Sequence, residues 1–214
     1  MKKEDIEIIV GCEESQEITK AFRELGFIAY SCDLQDCSGG HPEWHLKMDL
    51  RDALNLKKWT AGIFHPPCTF ISRAGARWMF PKAGQVDLYR LSKAMEAKEF
   101  FMTCLNADLD FIGLENPLPL KIIGLPKETQ VIQPYQFGEH FSKRTHLWLK
   151  GFPKLIPTNI VDDYVPYLPS NTGGAKRGQK ATFKNISQKE SSKTFPGIAK
   201  AIAEQWGSFL LNVW

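Results

Sequence analysis

The chain is predicted to be an α/β protein, a doubly wound, mostly parallel sheet with a small loop-rich basic insert. Three observations lead there. Short apolar, β-branched runs recur through the first 115 residues and end at a glycine, an acid or a proline. Stretches with apolar residues at helical spacing separate them, and strands alternating with helices build a parallel sheet covered on both faces. The length, 214 residues with 43% apolar and 24% charged residues, suits a single domain over 1–214.

The elements follow in order. IEIIVG (6–11) is a strand closed by Gly11, and residues 14–25 place Ile18, Ala21, Phe22 and Leu25 on one helical face, with Gly26 as the stop. FIAYSCD (27–33) and TAGIFH (60–65) are further strands. Residues 86–105 form a longer helix, with Leu88, Leu91, Met95, Met102 and Leu105 as its predicted apolar side. DFIGLE (110–115) is a buried strand stopped by Asn116 and Pro117. HLWLKGF (146–152) is a strand leading out of a turn. The insert is placed at 146–193: Pro153, Pro157, Pro166 and Pro169, a turn cluster at 171–174, then Lys176, Arg177, Lys180, Lys184, Lys189 and Lys193 against Glu190 alone. Pro196 suits the first turn of a final helix with Ile198, Ile202, Trp206 and Phe209 as its stripe. No internal repeat is present.

Composition narrows the classes. The net charge of +3 does not by itself imply nucleic acid. No apolar stretch reaches the length of a signal peptide or a membrane span, so a cytoplasmic protein with no membrane partner is expected. Five cysteines lack framework spacing, and in a reducing setting they serve packing, metal binding or catalysis. Cys12 and Cys104 are expected as core thiols. Cys32, Cys37, His41 and His45 have a metal-like C-x4-C-x3-H-x3-H spacing, but the spacer differs from a zinc finger, and no metal is expected.

Ligands of such sheets sit beyond the carboxyl ends of the strands, which aligns Gly11, Asp33, Pro66, Cys68 and Glu115 along one edge. Cys68 follows two prolines at a strand end. A thiolate is a strong nucleophile, and a carboxyl group with a raised pKa can protonate a ring nitrogen. Together they suit attack on an electron-poor heterocycle, with Arg144 to orient the carboxyl group or a carbonyl. Packing for Cys68 and a cap or ion pair for Glu115 are the structural alternatives.

In these motifs the chain resembles the S-adenosylmethionine-dependent DNA cytosine-5 methyltransferases, and most of all their short, phage-type members. VGCEES (10–15) stands at the first cofactor turn, SCDL (31–34) and KMDL (47–50) at acidic turns, and HPPCTF at the nucleophile motif. LENP (114–117) stands at the Glu-Asn motif, KRTHLWL (143–149) at the basic motif, and TFPGIAKAIAEQWG (194–207) at the closing helix. Thr69 replaces the common glutamine, and of Gln-x-Arg-x-Arg only Arg144 is present, between Ser142 and His146. The resemblance implies a Rossmann-like methyltransferase fold with Cys68, Glu115 and Arg144 as catalytic residues. Gly11, Cys12, Glu13, Ser15, Asp33, Asp49 and Pro66 would contact S-adenosylmethionine. Arg73, Arg77, Trp78, Asn116 and His146 would contact DNA or the flipped base. Residues 71–82 would close over the nucleic acid as a mobile loop. Three alternatives stay open: RNA, a free pyrimidine nucleotide, or a non-catalytic binding protein on the same fold.

Overall fold

The computed structural model describes residues 2–167 and 192–213. The lysine-rich part of the predicted insert, 176–189, lies outside them. A seven-stranded sheet organises the chain in the order β3-β2-β1-β4-β5-β8-β6. Its strands are β1 (Glu7–Gly11), β2 (Ile28–Asp33), β3 (His45–Lys47), β4 (Ala61–Phe64), β5 (Phe111–Asn116), β6 (Gln130–Ile132) and β8 (Thr145–Lys150). The first five are mutually parallel, whereas β8 runs antiparallel between β5 and β6. A small parallel pair joins β7 (Phe141–Ser142) to β9 (Val165–Pro166). The sheet is mixed α/β and mostly parallel, compatible with a Rossmann-like fold.

Helices cover both faces because side chains alternate along each strand. Ile8 and Val10 turn toward α1 (Glu17–Glu24) and α5 (Pro196–Asn212), where Phe22, Ile198, Ile202 and Trp206 are buried. Ile9, Phe64, Ile112 and Leu114 face the other way, against α2 (Leu50–Leu54), α3 (Ala76–Met79) and α4 (Leu88–Leu105). Gly113 has no room for a side chain, since an added Cβ would sit 2.5 Å from the Trp206 ring. Pro196 opens α5 as its sequence position predicts. No helix among the described residues is long and apolar enough to cross a membrane.

Several boundaries differ from the sequence reading. Helix α1 begins at Glu17 rather than 14, because Cys12 and Gln16 both adopt left-handed backbone (φ 59°) and make residues 12–16 a turn. The predicted stripe of α4 is wrong in part: Leu88 is 78% exposed and Met95 38% exposed, while Ala94, Phe101 and Cys104 are buried. Small Ala94 allows close approach to the sheet, and Leu88 projects from the first turn. Residues 145–150 belong to the main sheet, so the segment outside it starts after β8 rather than at 146.

Candidate active site

From β1 the chain winds outward through β2 and β3, then returns beside β1 to build β4 and β5 the other way. The reversal lies between β1 and β4, where open α/β sheets form a crevice beyond their carboxyl ends. There His65 N–H donates to Gly11 O at 2.9 Å, extending the β1–β4 register by one residue. Pro66, Pro67 and Cys68 follow. The prolines fix φ but offer no N–H groups, so other segments must hold this loop. Asn116 Nδ2 donates to Pro66 O at 2.7 Å across 50 residues. Ser72 N–H donates to Cys68 O at 2.9 Å, and an Arg90 guanidinium nitrogen donates to Thr69 O at 2.6 Å. Arg73 N–H reaches Leu118 O, and Leu120 N–H reaches Ile71 O, both at 2.8 Å. The loop carrying Cys68 is thus stapled to the segment after β5. Asn116, expected to touch substrate, is 3% exposed and fixes the loop instead.

Cys68 and Glu115, 47 positions apart in sequence, stand at the ends of neighbouring strands within electrostatic reach of each other. Glu115 Oε2 lies 3.3 Å from His65 Nδ1, and the Thr194 hydroxyl, two residues before α5, donates to it at 3.5 Å. Burial pushes the Glu115 carboxyl up, but His65, Lys143 and Thr194 together hold it below the usual carboxylate range. This corrects the expectation of a raised value. Burial works against a charged His65, yet Glu115 and then Glu13 raise its pKa above the ordinary imidazole value. Burial also raises the Cys68 thiol, partly offset by the Lys143 ammonium, whose own pKa burial lowers.

The cation serving both Cys68 and Glu115 is Lys143, whereas Arg144 is exposed. Asn116 pairs with His146 and Glu115 with Leu147 across the antiparallel β5–β8 ladder. Thr145 and Leu147 therefore share Glu115's face, and His146 and Trp148 share the face of Asn116, while Lys143 and Arg144 precede the strand. His146 is 3% exposed, 3.6 Å from Glu128, and burial lowers its pKa. It is a buried imidazole rather than a surface contact for DNA.

The residues expected to hold a cofactor divide into two groups. Glu13 is 4% exposed, and its carboxylate accepts from Ile18 N–H (2.6 Å), Thr19 N–H (3.2 Å) and the Thr19 hydroxyl (2.7 Å), capping α1 from outside. Asp49 caps α2 and pairs with Arg51 at 2.6 Å, which lowers its pKa to about 2. Gly11 is required by the core, because a Cβ there would lie 2.5 Å from Leu50. Ser15 and Pro66 are buried. These five are engaged within the fold. Asp33 and Cys12 are half-buried: Asp33 ends β2 beside Leu34, which is 71% exposed, and accepts from Gln35 N–H at 2.9 Å, while Cys12 packs against the core in left-handed backbone rarely adopted outside glycine.

Residues 71–82 are anchored at both ends by buried Ile71 and Met79, with a 3-10 turn at Arg73–Gly75 and α3 between. Arg73 and Arg77 are exposed, and Trp78 is 51% exposed, with the Arg77 guanidinium 3.9 Å from its ring centroid. A cavity of about 1030 Å³ lies at the opposite end of the sheet beside Arg51, Trp59, Asn106 and Asp110, away from this chemistry. In the metal-like spacing, Cys32 is buried against Met48 O, His45 bonds Ser31 and Gln35, and His41 stacks on Trp44 at 3.8 Å.

Three site residues escaped the sequence reading: His65, Lys143 and Thr194. His65 was legible as the residue before the two prolines, and Lys143 as the neighbour of Arg144. Thr194 carried no signal. Neither a protein-family model nor a curated protein matches the chain, leaving the geometry of this edge as the ground for a functional reading.

Proposed function

We propose that the protein methylates carbon 5 of a cytosine in DNA through a covalent bond to Cys68. The observation that carries this reading is the meeting of a thiol, a carboxylate and a cation, Cys68, Glu115 and Lys143, from three separate segments at the carboxyl edge of the sheet. A structural cysteine needs no such company. S-adenosylmethionine, when bound, supplies the electrophilic methyl group. Asp33 would accept hydrogen bonds from its ribose, exposed Leu34 would offer an apolar platform, and the turn at Cys12 would face its charged end.

The chain's own residues perform the rest. Cys68 as thiolate adds to ring carbon 6, and Glu115 delivers a proton to ring nitrogen 3, so the electron pair gained is not left as a bare charge. Lys143 favours the thiolate over the thiol. Asn116 keeps Pro66 fixed, which keeps the sulfur at the sheet edge. Loss of the carbon 5 proton and departure of Cys68 then release product. A base within a duplex must first leave the stack, and Trp78, Arg73 and Arg77 lie on the loop beside the nucleophile to receive the strand.

The test is covalent trapping. DNA containing 5-fluorocytosine, incubated with the protein and labelled cofactor, should give an adduct that survives denaturation, and Cys68→Ala should give none. RNA and free nucleotide run in parallel decide the substrate. Tight cofactor binding without an adduct on any of the three overturns the catalytic reading.

A further inference from the structure

Delivering a proton to the pyrimidine requires that Glu115 carry one, and its carboxylate stands beside an imidazole. The missing proton is within reach. His65 Nδ1 lies 3.3 Å from Glu115 Oε2, and the other ring nitrogen, Nε2, is buried with no hydrogen-bond partner among the described residues. The backbone of His65 is pinned by its bond to Gly11 O on one side and by Pro66 on the other, which holds the ring at the carboxylate. We propose that His65 is the proton store of the site: Nδ1 passes its proton to Glu115 as the pyrimidine engages and recovers it as product leaves. The assignment of substrate rests on the methyl-transfer reading; the existence of the pair does not.

The charged groups around the ring among the described residues fit this role. Glu13 approaches from the loop after β1, but its oxygens already accept from Ile18 and Thr19, so it acts on the ring through space alone. Lys143, from the segment before β8, acts on both His65 and Glu115 and opposes the uptake of a proton by either from bulk water. Cys68, on His65's own loop, couples to Lys143 and Glu115. Glu115, from β5, is the group with direct contact. The proton balance closes. The Nδ1–H bond breaks and an Oε2–H bond forms, leaving both groups neutral. Oε2–H then breaks as ring nitrogen 3 takes the proton and the Cys68 thiolate adds to carbon 6. After methylation the carbon 5 proton leaves to solvent, expulsion of the thiolate returns the nitrogen 3 proton to Oε2, and Oε2 returns it to Nδ1. His65 acts through Glu115 and is a positioning residue by that measure.

The experiment combines pH–rate profiles of wild type and His65→Gln with nitrogen-15 histidine NMR of the free protein. Glutamine can still hold the carboxylate but carries no exchangeable charge. Turnover above neutral pH should fall at least about tenfold, with the alkaline limb displaced to lower pH by about one unit. A limb that stays in place, with turnover lowered equally at all pH values, overturns the proposal. In the free protein, Glu115→Gln should lower the titration midpoint of His65 by about one unit or more, with exposed His140 unmoved as the reference. An unmoved His65 midpoint also overturns it. Coupled titration without methylation of any substrate would retain the proton-storing pair and sink the methyl-transfer reading. Methylation with neither a limb shift nor coupled titration would do the reverse.

Discussion

Two carboxylates flank His65, and they are held in opposite ways. Glu13 is satisfied by the backbone amides and hydroxyl of its own helix, groups that cannot change charge. Burial dominates there and raises its pKa despite those bonds and His65. Glu115 is met by His65, Lys143 and Thr194, side chains from three other segments, and its pKa is lowered. Both acids stand at the carboxyl edge of the sheet, Glu13 just after β1 and Glu115 next to last in β5, so position alone does not separate a structural acid from a chemical one. The identity of the partners does. Fixed amides make a carboxylate into a cap, whereas titratable partners make it part of an exchangeable proton system.

That contrast can be broken by mutation. The largest effect is expected for Glu115→Gln, which should slow methyl transfer by roughly a hundred- to ten-thousand-fold, as loss of a general acid does, while circular dichroism stays native. Glu13→Ala should do the opposite. It removes the acceptor for two buried amides and should lower stability by about 2 kcal/mol in urea titrations, with little loss of transfer per folded molecule. Lys143→Met keeps the stem and deletes the charge, so iodoacetamide labelling of Cys68 at neutral pH should slow by about tenfold, one unit in thiol pKa.

Stability against pH sharpens the comparison further. Glu115 titrates below its ordinary value in the fold, so its contribution is present above about pH 4.5 and is lost as pH falls through the folded value. His65 titrates above its ordinary value, so its contribution is complete below about pH 6.5 and is lost as pH rises through the folded value. The two overlap from about pH 4.5 to 6.5, and His65→Gln should reduce the stability advantage of that window in thermal melts. The smallest effect belongs to Arg144→Ala. Because Arg144 is exposed, labelling of Cys68 should not change, and the salt slope of DNA binding should fall by about 1 if it contacts a phosphate.

Much of this edge was legible before any coordinates. Ile8, Val10, Ile63 and Ile112 announce buried strands, and Asn116–Pro117 and Pro66–Pro67 announce their ends, so Cys68 and Glu115 could be aligned from pattern alone. The α4 surface could not. Leu88 and Met95 fit a stripe as well as Ala94 and Cys104 do, and only packing against β5 chooses between them. Glu13 misled for a related reason. An acid after a strand invites a ligand, but the left-handed turns at Cys12 and Gln16 direct it back onto α1.

The sequence by itself determined the strand ends, and hence that a thiol and a carboxylate share one edge, because hydrophobic runs and proline stops are local properties. The tertiary structure decided who stands beside them. The antiparallel register of β8 against β5 sets which alternate residues share Glu115's face, and the chain just before β8 brings Lys143, not exposed Arg144, within electrostatic reach of it. Register is a relation between segments thirty residues apart, and no local pattern carries it. The His65–Glu115 contact across β4 and β5 has the same origin, and with it the question of where the proton of this site is kept.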